Sequence, residues 1–461
     1  MRGSAAMRDG AAKSNPLREA DKAHHLHPFT DPKHVAEFGA HIIAHADGVH
    51  ITDEFGNRLL DAMAGLGGVN IGYGRAEMAE TAAHAMQELA YYHSFSAATH
   101  PAAARLAEKL IALAGPAFDR VFFSNSGSEA NETIAKIIRH YWRRKGRPEK
   151  RFFIARDMAY HGSTWLTASL SGLPHMHAAF GLPEGDIRHI EAPFWYRNGG
   201  DLAPDEYGLV AARALEEAIA DIGADNIAAF FGEPVQATAG AIIPPATYWP
   251  EIQRICRAND ILIVADEVVT GFGRTGHWFA HPAFGFEADF MTLAKGLSST
   301  YQPIAASLVS AEVADAIAEG GAFQHGFTTS AHPVAAAVAL RNIEIMEREG
   351  LVQRTATELG PMLADALEEL TDLPLVGEVR AMGAIAGIEL AKDKAKRMQY
   401  PLELGVCGQV AGQTLMRGVI VRPTGNALVM CPPLTFEAEH VETLKAALAE
   451  ALIVVAGQLG L

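Results

Sequence analysis

The sequence predicts an α/β protein, with a large domain around a mostly parallel sheet and a smaller α+β domain formed by both termini. Three observations carry this expectation. From about residue 105, short apolar runs alternate with longer amphipathic stretches, the order of strand–helix–strand units. After about residue 330 that alternation gives way to a long Ala/Val/Ile-rich stretch and then a mixed segment. Several of the apolar runs also end in a polar or charged residue, and ligands of open parallel sheets sit at the carboxyl ends of strands.

In chain order, residues 1–22 are Ala, Gly, Ser and charge, and read as a flexible leader whose first four residues look like an expression leader. Residues 23–75 carry Gly48-Val49-His50-Ile51-Thr52-Asp53 and the glycine-rich run 65–74, and are expected to join the smaller domain. Residues 76–330 form the large domain, with buried strands expected at 120–124, 151–156, 227–233, 261–266 and 290–293 and helices at 128–144 and 211–222. The cationic run Trp142-Arg143-Arg144-Lys145 reads as a solvated helix end, where positive charge suits the helix dipole. Residues 331–461 form the smaller domain, opening with a helix over 333–349 and continuing to strands near 383–390 and 418–422.

Composition narrows the function. With 38 Lys and Arg against 54 Asp and Glu in 461 residues, the net charge is −16, which argues against binding a phosphate backbone. No apolar run is long enough to span a membrane, and the three cysteines (Cys256, Cys407, Cys431) lack metal-ligand spacing. A reducing cytoplasm is the expected compartment. The histidines also show no ligand spacing, so no metal is expected, and His161, His325 and His332 read as packing or hydrogen-bonding residues.

Four strand ends hold the candidate chemistry. The run Ile261-Leu262-Ile263-Val264-Ala265 ends in Asp266, a carboxylate that needs a cation or donors if buried. It is either a site carboxylate or a structural one, capping a helix or paired with Arg274. Met291-Thr292-Leu293-Ala294 leads to Lys295, and a desolvated lysine becomes a nucleophile suited to imine chemistry. Val121-Phe122-Phe123-Ser124 runs into Asn125-Ser126-Gly127-Ser128-Glu129 and a helix. There, free N–H groups, a glycine and hydroxyls make a phosphate cup, or Ser126 and Glu129 make a plain capping box. Tyr160-His161-Gly162 follows another strand, placing an aromatic ring where a planar cofactor can stack.

In this order, together with Asp266-Glu267-Val268, Gly271-Phe272-Gly273-Arg274-Thr275-Gly276 and Ala294-Lys295-Gly296, these residues resemble the class III (ω-) aminotransferases of the PLP-dependent fold type I. The likeness runs from His25-Leu26-His27-Pro28 to Cys431-Pro432-Pro433 and is closest to the pyruvate-dependent ω-transaminases and putrescine–pyruvate enzymes. It implies a seven-stranded, mostly parallel large sheet and pyridoxal 5'-phosphate (PLP) held on Lys295 as a Schiff base. It also implies that Asp266 pairs with the pyridine nitrogen, that Tyr160 and Val268 lie on opposite ring faces, and that Ser126, Gly127, Ser128 and His161 complete the cofactor site. Glu233 matches a glutamate near the phenolic oxygen. Thr328 matches a threonine that reaches the neighbouring subunit's phosphate, so a homodimer, or a tetramer built from dimers, is implied. Arg422 matches a movable arginine that pairs with the carboxylate of the keto acid, a role its bidentate fork suits. An edge-strand surface position is the alternative for it.

The resemblance further implies a ping-pong transfer from a primary amine to a keto acid, pyruvate. Where relatives carry a bulky aromatic after Gly65-Leu66, this chain has Gly67, and Thr329 and Thr238 also depart from the usual residues. The expectation is a pocket walled by Leu66, Gly67, Phe95 and Tyr160, with Thr238 also binding substrate, that is enlarged for bulky amines; the alternative is that Gly67 serves backbone flexibility and the space is refilled from elsewhere. The rival readings are another PLP reaction on the same scaffold and a PLP-binding protein without catalysis.

Overall fold

The structure, a computed structural model, describes residues 15–461. Residues 1–14 of the expected leader lie outside them. The remainder of that leader is not featureless: Pro16–His24 is a helix, with Asn15 accepting the Leu17 N–H at 3.0 Å and Pro16 in the first turn. Arg18 of this helix pairs with Glu54 and lies over the Phe55 ring, which docks the segment.

The large sheet has seven strands, β1 (Phe118–Ser124), β2 (Phe152–Arg156), β3 (Ile187–Ile190), β4 (Ile227–Gly232), β5 (Leu262–Asp266), β6 (Phe290–Leu293) and β7 (Ala305–Ser310). Their order is β1-β7-β6-β5-β4-β2-β3, and only β7 runs antiparallel to its neighbours. Every residue of β4, β5 and β6 is buried, as expected of a sheet covered on both faces. The helix Gly127–Arg144 covers one face, burying Ile134, Ile138 and Trp142 with Phe231, Val264 and Phe290. Ser126 caps its start and Arg143 and Arg144 end it, both exposed, whereas Trp142 points inward and donates to the Ala228 carbonyl at 3.0 Å.

The five expected strands of this sheet are present, with β3 and β7 in addition. Two smaller sheets complete the chain. In one, Ile43–Asp47, His50–Asp53 and Arg58–Asp61 are joined by Val419–Ile420, parallel to Arg58–Asp61. In the other, Val376–Met382, Ile385–Leu390, Ala427–Met430 and the edge strand Arg422–Thr424 pair antiparallel. The expected strand at 418–422 is therefore two strands in different sheets. The helix Pro333–Arg348 packs on helices Ala76–Glu88 and Pro101–Ala114, so the pattern change near residue 330 precedes the change in packing partners.

Candidate active site

The carboxyl ends of β1, β4, β5 and β6 open onto one cavity of about 330 Å³. A second lobe of about 340 Å³ adjoins it, with Tyr160, Val269 and Lys295 on both. Asp266, the last residue of β5, is 3% exposed. Its Oδ2 accepts from His161 Nδ1 and Asn131 Nδ2, both at 2.8 Å, and its Oδ1 accepts the Val268 N–H at 3.1 Å. The burial of the carboxylate is thus answered by three donors. Arg274 is not one of them. It is wholly buried elsewhere, donating to Asn70 Oδ1 and the Pro432 carbonyl.

Asn131 sits one turn into the helix from Gly127, on its buried face. It also donates to the His161 carbonyl at 2.8 Å and accepts from Thr292 Oγ1 at 2.7 Å. The sequence reading assigned it nothing, although a polar residue on the apolar side of a strongly amphipathic helix was the available signal. Arg156, at the end of β2, was missed too. It is fully buried and donates to the Glu233 carbonyl, fixing the turn after β4.

Lys295 follows β6 with φ at +34°, a strained conformation for a residue with a side chain, and such strain concentrates at functional sites. Its amine has no hydrogen bond or ion pair to any described residue. Desolvation lowers its pKa, against the opposing pull of Asp266 and Glu233. Glu233 is itself 4% exposed and accepts the Tyr160 N–H at 3.0 Å; burial pushes its carboxyl up to about 7.

The phosphate-cup and capping-box readings of Ser126–Glu129 both hold in part. Ser126 Oγ accepts the Glu129 N–H at 3.2 Å, but the Glu129 carboxylate turns to the Asn125 backbone and side-chain amides at 2.8 and 2.7 Å. The Gly127 and Ser128 N–H groups keep no acceptor among the described residues, and both residues line the cavity. Ser128 Oγ accepts the Ser163 N–H at 3.0 Å. Gly162, at φ +138°, lets the two turns meet, because a Cβ there would fall 2.6 Å from Ser128 Oγ.

The second lobe gathers Leu66, Tyr160, Thr238 and Arg422, with Phe29, Met63, Leu173 and Val429, which the sequence reading did not single out. Arg422 occupies the expected edge strand and still lines the lobe, without a carboxylate partner among the described residues. Gly67 is buried and does not itself line the lobe; at φ +73° it sits behind Cys431 and Val269, which do, and a Cβ there would make ordinary contacts with them at 3.6 Å and beyond. Phe95 corrects the expectation. It does not wall this lobe but lines a separate hollow with Phe122, Phe323 and His325. It is 44% exposed and packs against Gly326, two residues from the exposed Thr328, which likewise does not line its own chain's cavity. Thr329 donates to Asn125 Oδ1 at 2.7 Å.

Of the histidines, His161 holds Asp266, His325 stacks on Phe122 and His332 lies near Tyr91. The expectation of no ligand geometry needs one amendment. Asp21, His25 and His27 bring ligand atoms within 4.8 Å of one another at the partly exposed end of the first helix, where hydrogen bonds of 3.0 and 2.8 Å already join them.

The cavity suits PLP. Free helix-start N–H groups meet a phosphate, a fixed buried carboxylate meets a ring nitrogen, and an unpaired amine of lowered pKa meets an aldehyde. No described helix is long and apolar enough to cross a membrane.

Comparison with known proteins agrees. Residues 33–452 match the family described as aminotransferase class-III. The chain is 44% identical over 433 residues to the putrescine–pyruvate aminotransferase of Pseudomonas aeruginosa, covering 94% of this chain and 95% of that one. Among solved structures it is similar to the omega transaminase of Pseudomonas jessenii in complex with PMP, at 40% identity and a TM-score of 0.94 over 97% of this chain and 99% of that chain. A thermostable omega transaminase variant engineered for asymmetric synthesis of enantiopure bulky amines matches at 40% identity and 0.93, over 96% and 99%. With the matched family spanning nearly the whole chain and the strand-end site intact, this protein belongs to the class III aminotransferases, PLP-dependent enzymes of fold type I.

Proposed function

We propose that this enzyme moves the amino group of a primary amine to pyruvate in two half-reactions that share one site. Bound on the Gly127–Ser128 helix start, PLP supplies a carbonyl carbon that carries the amino group and a protonated ring that takes up the electron pair when a C–H bond breaks. Asp266, held by Asn131 and His161, keeps the ring nitrogen protonated. Tyr160 and Val268, which line the cavity, would confine the ring, and Glu233 would serve its phenolic side. Lys295 would hold the cofactor through its amine and, when that amine is free, would serve as the general base and acid that moves the proton at the amine's carbon. The single observation that carries this reading is the convergence of a free, desolvated Lys295 amine and a triply bonded Asp266 on one cavity.

Arg422 pairs with the carboxylate of pyruvate, while Leu66, Gly67 and Thr238 shape the lobe for the amine's substituent, with room for a bulky one. Thr328 and Phe95 share an exposed edge, and we assign both to the neighbouring subunit's site in a homodimer or dimer-based tetramer. Tyr91 and Tyr92, 43% and 49% exposed beside Phe95, support that edge as an interface. The chain divides into an N-terminal segment 23–75, a cofactor domain 76–330 and a C-terminal domain 331–461, and it works in the cytoplasm. The test is alanine formation from pyruvate and an amine donor, expected for the wild type and lost in Lys295→Ala. Alanine formation at the wild-type rate by Lys295→Ala would refute it.

A further inference from the structure

The second lobe carries cations and no anion. Its walls are mainly carbon, from Phe29, Met63, Leu66, Leu173 and Val429. Among the described residues lining it, the formally charged ones are Lys295 and Arg422, both positive, and Arg422 has no carboxylate partner. His175, exposed at its edge, adds no negative charge. Carboxylates outside the lobe are already engaged: Glu233 and Asp266 line the other lobe and accept from Tyr160 and from His161, Asn131 and Val268, and buried Asp61 accepts the Met63 and Gly65 N–H groups and the Tyr73 hydroxyl. The segments 89–107 and 320–343, which carry Phe95 and Thr328, contain neither Asp nor Glu, and Glu129 beside them is engaged by the Asn125 amides.

We infer that this lobe selects against a second ammonium group, so that the amine donors are monoamines with an apolar far end and α,ω-diamines are poor donors. The inference rests on the reading of Lys295 as the catalytic lysine, and it separates this chain from what the name of its putrescine–pyruvate relative suggests. With the reacting nitrogen at Lys295, the far end of a four-carbon donor lies in the carbon-walled lobe. An ammonium there gives up water without gaining a counter-charge, and Arg422 opposes it. A methyl group in the same place gains by leaving water. Like-charge opposition of this kind is how a site rejects a competitor of nearly equal shape.

The experiment compares n-butylamine with putrescine, with pyruvate as acceptor and 1-phenylethylamine as a control donor, on the wild-type holoenzyme and on Leu66→Asp. Leu66 is 65% exposed while lining the lobe, so a carboxylate there is compatible with folding. The expected kcat/KM favours n-butylamine over putrescine by at least about tenfold, and Leu66→Asp shifts that ratio toward putrescine by a similar factor. A wild type that uses putrescine as well as or better than n-butylamine overturns the inference while leaving the aminotransferase reading intact. So does a Leu66→Asp enzyme with an unchanged ratio. Absence of alanine with all three donors overturns the aminotransferase reading itself, and the inference with it.

Discussion

Asp266→Asn separates the electrostatic role of the carboxylate from its structural one. The carboxylate receives three N–H donors, two on Oδ2 at 2.8 Å and one on Oδ1 at 3.1 Å. An asparagine has one acceptor oxygen. Placed toward His161 and Asn131, it keeps two of these bonds and turns its NH2 against the Val268 N–H. Placed the other way, it sets two donors against donors, so the first orientation wins. One buried bond is then lost, at roughly 1–3 kcal/mol, and the surviving two lose charge assistance, roughly another 1–2 kcal/mol together. The variant is thus less stable than the wild type by about 2–5 kcal/mol, but Asn131 and His161 remain bonded and the site remains assembled. What disappears is the negative charge that holds the proton on the cofactor's ring nitrogen. We expect kcat to fall by at least about a hundredfold, equivalent to about 2.7 kcal/mol of barrier, with PLP still bound. The assay is steady-state alanine formation together with the visible absorption of the bound cofactor. A variant that binds PLP and turns over within about fivefold of the wild type refutes the assignment of Asp266 to the ring nitrogen.

Gly67→Trp places a large ring on the second lobe from a backbone at φ +73°, which costs a side-chain-bearing residue about 1–2 kcal/mol. Rates on bulky amines should fall more than those on small ones, with a lowered melting temperature; a bulky donor that gains would contradict the open-lobe reading. Arg422→Leu should raise KM for pyruvate by roughly 10–100-fold, the worth of a charged bidentate contact, and leave the amine half-reaction within about threefold. An unchanged KM for pyruvate would remove Arg422 from the acceptor site. Glu233, raised from 4.5 to about 7 by burial, favours folding in its protonated form. That contribution is complete below about pH 4.5 and is lost as pH rises through about 7. Cofactor-free Glu233→Gln should therefore gain thermal stability relative to cofactor-free wild type between pH 5 and pH 8, and a difference independent of pH would show that Glu233 does not titrate there.

Much of the site was legible because a parallel sheet buried on both faces writes uninterrupted apolar runs, and a charged residue closing such a run stands out. Asp266 ends β5 in this way, and Lys295 stands two residues past the end of β6. β3 and β7 escaped for opposite reasons. The edge strand Ile187–Ile190 carries Arg188 and His189 in its middle, and β7 is Ala-Ala-Ser-Leu-Val-Ser, whose small residues are buried by β1 and β6 rather than by their own bulk. Asn131 was hidden because it is a polar residue inside an otherwise ordinary helix, and only the assembled packing reveals its partners. Arg156 closes β2 as Asp266 closes β5, so the same signal marked it, but its partner, the Glu233 carbonyl, is legible only in the assembled sheet. The Asp21, His25 and His27 cluster straddles a helix end, so no single periodicity joins it. Phe95 shows a different limit: local pattern marked it as suited to the substrate pocket, whereas it lines a separate hollow with Phe122, Phe323 and His325.

The central claim is that Lys295 and Asp266 serve one PLP site through which an amine and a keto acid pass in turn. The most direct test follows the visible absorption of the holoenzyme as an amine donor is added alone, the donor is removed, and pyruvate is then added. The account predicts that the absorption bleaches with the amine, returns with pyruvate and yields one alanine per site, and that Lys295→Ala completes no such cycle. A holoenzyme whose spectrum is unmoved by every amine, or one that bleaches and does not recover with any keto acid, would contradict it.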